Sequence, residues 1–211
     1  MNNVETLPPV GQTDRELLDR AAVLQSAARD TIEHLGLERL WSTVGRPVLV
    51  GATRFGLMRK PNLDFEIYVD APTVEAGFGV ISRLASIPGV TEVRFLNFMG
   101  IESDPGLYWQ VFYRAPDGTM WDVDNWLVPF SHPHAGMADA FATAMQATLS
   151  DQTRAVIMRI KTTMPPDCGA RGIDVYRAVL DYGVRTLPEF MSWLDEAGPR
   201  DGIETWIPGK R

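Results

Sequence analysis

From Leu63 to Ile67 the chain alternates apolar and acidic residues: Leu63, Phe65 and Ile67 take every second position, with Asp64 and Glu66 between them. An extended strand sends successive side chains to opposite faces, so this segment buries one face and presents two carboxylates on the other. Two carboxylates held side by side repel unless a cation or a proton lies between them. A strand over residues 63–69 is therefore expected to carry the chemistry of the chain.

Its neighbours supply a frame. Val48-Leu49-Val50 reads as a short buried strand ended by Gly51, and a turn-rich stretch follows. Ahead of it, residues 1–12 form a loose lead-in. Thr13 and Glu16 have the spacing of a capping box, and Leu17, Ala21, Leu24, Ala28, Ile32 and Leu35 recur at helical spacing up to Gly36. Residues 73–86 read as a helix despite Gly77 and Gly79. Three strands are expected over 91–98, 107–115 and 120–128, the last two joined as a hairpin by Pro116-Asp117-Gly118-Thr119. Beyond Pro129 the pattern turns helical, over 137–149, 150–164 with Ser150 as cap, 173–182 and 188–197, before an irregular tail. The order predicts an α+β fold: a short mixed β-sheet flanked by helices over residues 1–130, then a helical C-terminal segment over 131–211.

Composition narrows the function classes. With 45% hydrophobic and 22% charged residues, the 211-residue chain can bury a core and reads as globular. A net charge of −7 argues against a broad electrostatic grip on long nucleic acid. Cys168 is the only cysteine, which excludes an intrachain disulfide and a thiolate cluster. No apolar run reaches the roughly 18 residues of a spanning helix, and the polar N-terminus lacks a signal pattern, so a cytoplasmic location is expected.

A further acid comes from Trp121-Asp122-Val123-Asp124-Asn125-Trp126, where Asp122 and Asp124 share one strand face. Were this strand to lie beside the Asp64 strand, three carboxylates would converge. Hard oxygen ligands of that kind suit Mg²⁺ or Mn²⁺, and metals so held can clamp the attacking and leaving oxygens of a phosphoryl displacement.

The segment from Val50 to Ile67 resembles the signature of the DNA polymerase β-like nucleotidyltransferase superfamily. It has a small-residue turn after a strand, a spacer over residues 53–63, then Asp64-Phe65-Glu66-Ile67 as acid and hydrophobe alternating. The likeness covers roughly residues 40–130 and is strongest toward the smaller bacterial members, the minimal and antibiotic-modifying nucleotidyltransferases. It implies a nucleotidyltransferase-like sheet, with Asp64 and Glu66 as metal ligands. It also implies that Asp124, set among Val123 and Trp126-Leu127-Val128, is the third carboxylate in preference to Asp122. One departure stands out: the family's turn is Gly followed by Gly or Ser, and here Ala52 follows Gly51. Ala52 has no hydroxyl for phosphate, so Thr53 or backbone N–H groups would substitute. Arg54, Arg59 and Lys60 follow in the turn and are expected to face a triphosphate, and Lys161, which shares a helix stripe with Arg154 and Met158, is expected to reach its phosphates.

The remaining candidates read as structural. His132 and His134 form a loop pair without further ligands, His34 lies at a helix end, and Cys168 has no activating neighbour. Most of the aromatics Tyr108, Trp109, Phe112, Tyr113, Trp121 and Trp126 are expected in the core.

The expected function is Mg²⁺- or Mn²⁺-dependent transfer of a nucleoside monophosphate from an NTP to a hydroxyl of a small molecule or protein. Asp64, Glu66 and Asp124 would be catalytic and metal-binding, with Gly51, Ala52, Thr53, Arg54 and Lys161 around the nucleotide. The alternatives are a nucleotide- or partner-binding protein of the same fold that has lost transfer, and a metal-dependent phosphohydrolase using the same acids.

Overall fold

A computed structural model describes residues 12–198 and 205–209. Five strands form one mixed sheet in the order β1-β2-β5-β4-β3. They are β1 (Arg46–Val50), β2 (Asn62–Val69), β3 (Val90–Asn97), β4 (Leu107–Arg114) and β5 (Met120–Pro129). β1 runs antiparallel to β2, and β3, β4 and β5 form an antiparallel meander. β5 then docks parallel to β2, placing Asp64 opposite Asp124 and Glu66 opposite Trp126.

The hairpin turn forms as expected. Ala115 N–H donates to the Thr119 carbonyl at 2.8 Å, Gly118 N–H to the Ala115 carbonyl at 2.9 Å, and Thr119 N–H to Asp117 Oδ1 at 2.9 Å.

The core-facing side of the sheet, with Phe65, Ile67, Trp109, Val111 and Val123, packs against α1 (Gln12–Leu35), α2 (Leu37–Trp41) and α4 (Val74–Ala85). Asn125 is fully buried there. Its side chain accepts from Trp41 Nε1 at 2.8 Å and donates to the carbonyls of Trp109 and Val123 at 3.2 and 3.0 Å, so no polar atom of its amide is stranded. Thr73 caps α4 by accepting from Ala76 N–H at 3.2 Å.

A second core is built by α5 (Met137–Thr148), α6 (Asp151–Thr163), α7 (Gly172–Tyr182) and α8 (Leu187–Ala197). It also takes Ala21 from α1, Phe55 from α3 (Gly51–Phe55) and Leu57. Ser150 and Thr153 exchange cap bonds at the start of α6.

Two differences from the sequence reading concern helices. Thr13 lies within α1, because Gln12 is already helical, so the Thr13–Glu16 pair does not open that helix. The one-turn helices α2 and α3 were not expected; five residues are too few to display a 3.6-residue period. No helix among the described residues is long and apolar enough to cross a membrane.

Candidate active site

On the other side of the sheet the alternation of β2 and β5 sets Asn62, Asp64, Glu66 and Tyr68 alongside Asp122, Asp124 and Trp126. Parallel pairing brings the carboxylates of Asp64 and Asp124 together. Asn62 bridges them, its Nδ2 donating to Asp64 Oδ1 and to Asp124 Oδ2, each at 3.1 Å. The Tyr108 hydroxyl donates to the remaining Asp124 oxygen, Oδ1, at 2.5 Å. Burial, followed by the charge of Asp124, pushes the Asp64 carboxyl up to about 7, while Asn62, Lys60 and Lys161 pull the other way. Burial and the bond to Asp124 raise the Tyr108 hydroxyl, which stays a proton donor across the physiological range.

Asp122, one residue pair away on the same face, is held by Lys60 Nζ at 3.3 Å. Sequence alternation left Asp122 and Asp124 equivalent in direction; the sheet register separates them.

Glu66 leaves the same face of β2 but takes another course. One carboxylate oxygen accepts from the Tyr68 hydroxyl, and His132, Asp104 and Asp139 lie around it. Burial is the main cause of its raised carboxyl. Glu66 thus borders a cavity of about 300 Å³ walled by Tyr68, Trp126, His132, Phe141 and Trp206. The structure brings two of the three expected acids together. Accordingly, no three His, Cys, Asp or Glu side chains among the described residues gather as a metal cage.

Gly51 closes the site from the β1 side. Its φ is +68°, and a Cβ built there would lie 2.2 Å from Asp64 Oδ2. Only a residue without a side chain lets the backbone approach the carboxylate this closely. Ala52 and Thr53 follow in α3. Thr53 is buried and gives its hydroxyl proton to the Asn62 carbonyl at 2.8 Å, which pins the turn to the start of β2.

Arg54 points to α5, where it pairs with Asp139 and donates to Thr143 Oγ1 at 3.1 Å. Lys161 is buried, its Nζ donating to the Leu57 carbonyl at 2.7 Å and to the Tyr176 hydroxyl at 2.9 Å. Burial and Arg59 bring its ammonium down to about 8, and Asp64 opposes that shift. Of the basic residues expected at a nucleotide, Lys161 and Lys60 lie within electrostatic reach of Asp64, Arg59 donates to the Lys161 carbonyl at 2.8 Å, and Arg54 serves as a tie between helices.

The donor set fits Mg²⁺ or Mn²⁺: two register-opposed, half-buried carboxylates beside a glycine cradle that a Cβ would fill. The His132 ring is committed otherwise. His132 Nδ1 accepts from His134 N–H at 3.0 Å, so the neutral ring carries its proton on Nε2, 3.1 Å from Asp104 Oδ1. His34 stacks on Tyr113 with ring centroids 5.7 Å apart, and Cys168 is half-buried. Asn62, Tyr68 and Tyr108 were missed by sequence reasoning. Asn62 and Tyr68 were accessible in principle, since both continue the period-2 face of Asp64, whereas Tyr108 required the β4–β5 register.

Solved structures with the same arrangement of sheet and helices exist. A mutant Cid1 poly(U) polymerase bound to MgATP matches over 82% of this chain and 55% of its own, with a TM-score of 0.57 and 15% identity. Mg 3'-dATP-bound Cid1 poly(U) polymerase gives 82% and 56% coverage, 0.57 and 12%. A cytoplasmic RNA terminal U-transferase gives 80% and 54%, 0.51 and 12%. The fold is nucleotidyltransferase-like. At such low identity the likeness is one of fold, and the chain spans little more than half the length of these neighbours. No family model matches the chain, and no curated protein matches it. On the nucleotidyltransferase-like sheet, the Asp64–Asp124 pair occupies adjacent central strands, with Gly51 at the turn leading out of the edge strand β1.

Proposed function

We propose that this chain is a metal-dependent nucleotidyltransferase moving a nucleoside monophosphate from an NTP to an acceptor hydroxyl. The observation that carries the reading is the pairing of Asp64 with Asp124 across β2 and β5, bridged by Asn62 and cradled by Gly51. Asp64 and Asp124, with Glu66 as a third ligand, would hold Mg²⁺ or Mn²⁺. When bound, the metal offsets phosphate charge and favours departure of pyrophosphate.

Asp124 takes the acceptor's proton as the acceptor oxygen bonds to the α-phosphorus. The bond from that phosphorus to the bridging oxygen breaks, and pyrophosphate leaves with the electron pair. Asn62 and Tyr108 hold Asp124 in one orientation for that transfer. Gly51, Ala52 and Thr53 border the phosphates through their backbone, and Lys161 offsets charge beneath them. Arg54 would need to leave Asp139 to join.

The similar proteins are a poly(U) polymerase and an RNA terminal U-transferase by name, which makes RNA a candidate acceptor here. The net charge of −7 and the acids Glu66 and Asp104 beside the site cavity favour a small-molecule or protein hydroxyl, as in the smaller antibiotic-modifying members. A cytoplasmic setting goes with either.

The test is pyrophosphate release from each NTP with Mg²⁺, Mn²⁺ or EDTA, in the presence of sugar hydroxyls, protein or an RNA oligonucleotide. Metal-dependent release supports transfer, and the productive arm names the acceptor. Lys161→Met, which keeps the packing volume and removes the ammonium, is expected to weaken NTP affinity about tenfold in a fluorescent-nucleotide titration. Unchanged affinity would remove Lys161 from the phosphate site.

A binding protein without transfer is the second reading. Ala52 lacks a hydroxyl and Thr53 spends its proton on the Asn62 carbonyl, which leaves no hydroxyl at the start of the turn to donate to phosphate. NTP binding with no release in any arm would favour it.

A further inference from the structure

Asp64 and Glu66 leave the same face of β2, yet only Asp64 meets Asp124. The difference lies in Tyr68, the next residue along that face. Its hydroxyl donates to a Glu66 carboxylate oxygen and accepts from Gly136 N–H at 3.0 Å. The phenol has little freedom. It is 2% exposed, stacked on Phe130 with centroids 6.0 Å apart, and overlain by the Arg46 guanidinium at 5.2 Å. Gly136 is the N-cap of α5, so the acceptor side of the hydroxyl is fixed by the helix start. With Gly136 N–H filling a lone pair, the hydroxyl proton is directed at Glu66, and a charge-assisted bond of this kind is stronger than a neutral one. For Glu66 to join Asp64 and Asp124 around a cation, it must first leave Tyr68.

We propose that Tyr68 is a positioning residue that holds Glu66 out of the Asp64–Asp124 pair and competes with the metal for its carboxylate. The inference rests on the metal site proposed above. In it, the site rests as a two-carboxylate pair and becomes a three-carboxylate cage only when the Tyr68 bond is exchanged for a metal bond. The start of α5, through Gly136, sets how readily that exchange occurs.

The experiment is a calorimetric titration of Mn²⁺ alone into the full chain, free of nucleotide, for the natural protein, Tyr68→Phe, Glu66→Gln, Asp64→Asn and the double variant Tyr68→Phe/Glu66→Gln. Tyr68→Phe removes one hydroxyl and keeps the buried ring, so the fold is retained, which a thermal melt verifies. The expected result is Mn²⁺ binding about three- to tenfold tighter in Tyr68→Phe, since the carboxylate no longer surrenders a hydrogen bond. In the Glu66→Gln background the same change has no effect. A purely structural role for Tyr68 would loosen the site instead of tightening it, so unchanged or weaker Mn²⁺ affinity in Tyr68→Phe overturns the proposal. Asp64→Asn separates the two layers. If it abolishes Mn²⁺ binding while Tyr68→Phe changes nothing, only the role of Tyr68 falls; if it leaves binding intact, the metal site falls and this inference with it.

Discussion

Asp64→Asn is expected to cut metal-dependent pyrophosphate release by about 10²–10³-fold or more, and at the same time to make the metal-free protein more stable. Both effects have one cause. Asp64 faces Asp124 in register inside the protein, and the pair shares only the Asn62 amide as a neutral bridge. Turnover falls because a cation then meets one carboxylate where it needs two. Stability rises because a carboxylate that is desolvated, and repelled by Asp124, is replaced by a neutral amide whose oxygen still accepts from Asn62.

The pH dependence follows from the raised carboxyl. Burial and Asp124 lift Asp64 to about 7 in the folded protein, above the roughly 3.9 of an unfolded chain. Its favourable contribution is therefore complete below about pH 4 and is lost as the pH rises through about 7. In EDTA at about pH 8 the variant should exceed the natural protein by about 2 kcal/mol, after discounting for water at an open site, or about 4–8 °C in Tm. Near pH 4 the two should melt together. Unchanged turnover would sink the catalytic assignment, and a lower Tm at pH 8 would sink the electrostatic one.

Gly77→Ala and Gly79→Ala are expected to move stability in opposite directions, although both lie in α4 and neither touches the site. A Cβ at Gly77 would stand 2.0 Å from Cη2 of Trp109, a fully buried ring in the main core. The helix would have to lift off β4, at a cost of about 3 kcal/mol, or about 6–12 °C in Tm. A Cβ at Gly79 meets nothing within 4 Å, so the replacement brings only the helix propensity of alanine, worth about 0.5–1 kcal/mol in its favour. Circular-dichroism melts of the two variants decide the matter, and equal shifts would show that α4 does not seat on Trp109 through Gly77.

The same glycines show how far sequence could be read. As propensities, Gly77 and Gly79 both argue against a helix, yet Thr73 caps one and Val80, Ile81 and Leu84 bury its inner face. Helix propensity is a local quantity, and what Gly77 supplies is a close approach that exists only once α4 lies on the sheet. The strands were legible from alternation and the β4–β5 turn from its residue types, since both follow from backbone stereochemistry. The one-turn helices α2 and α3 were not, being too short to show a period.

For the site, period-2 alternation alone dictated that Asp64 and Glu66 share a face, and that Asp122 and Asp124 do. It says nothing about which strands are neighbours, which register they take, or where a carboxylate turns beyond its Cβ. Those were decided by packing. The parallel docking of β5 on β2 puts Asp124 opposite Asp64 and leaves Asp122 to Lys60, and the start of α5 holds Tyr68 so that Glu66 turns from the pair. Strand pairing and side-chain rotamers depend on residues far apart in the chain, such as Arg54 with Asp139 or Lys161 with Leu57. Side-chain direction is a property of one strand and is written in its own residues. Convergence is a property of several elements packed together, and it exists only in the folded chain.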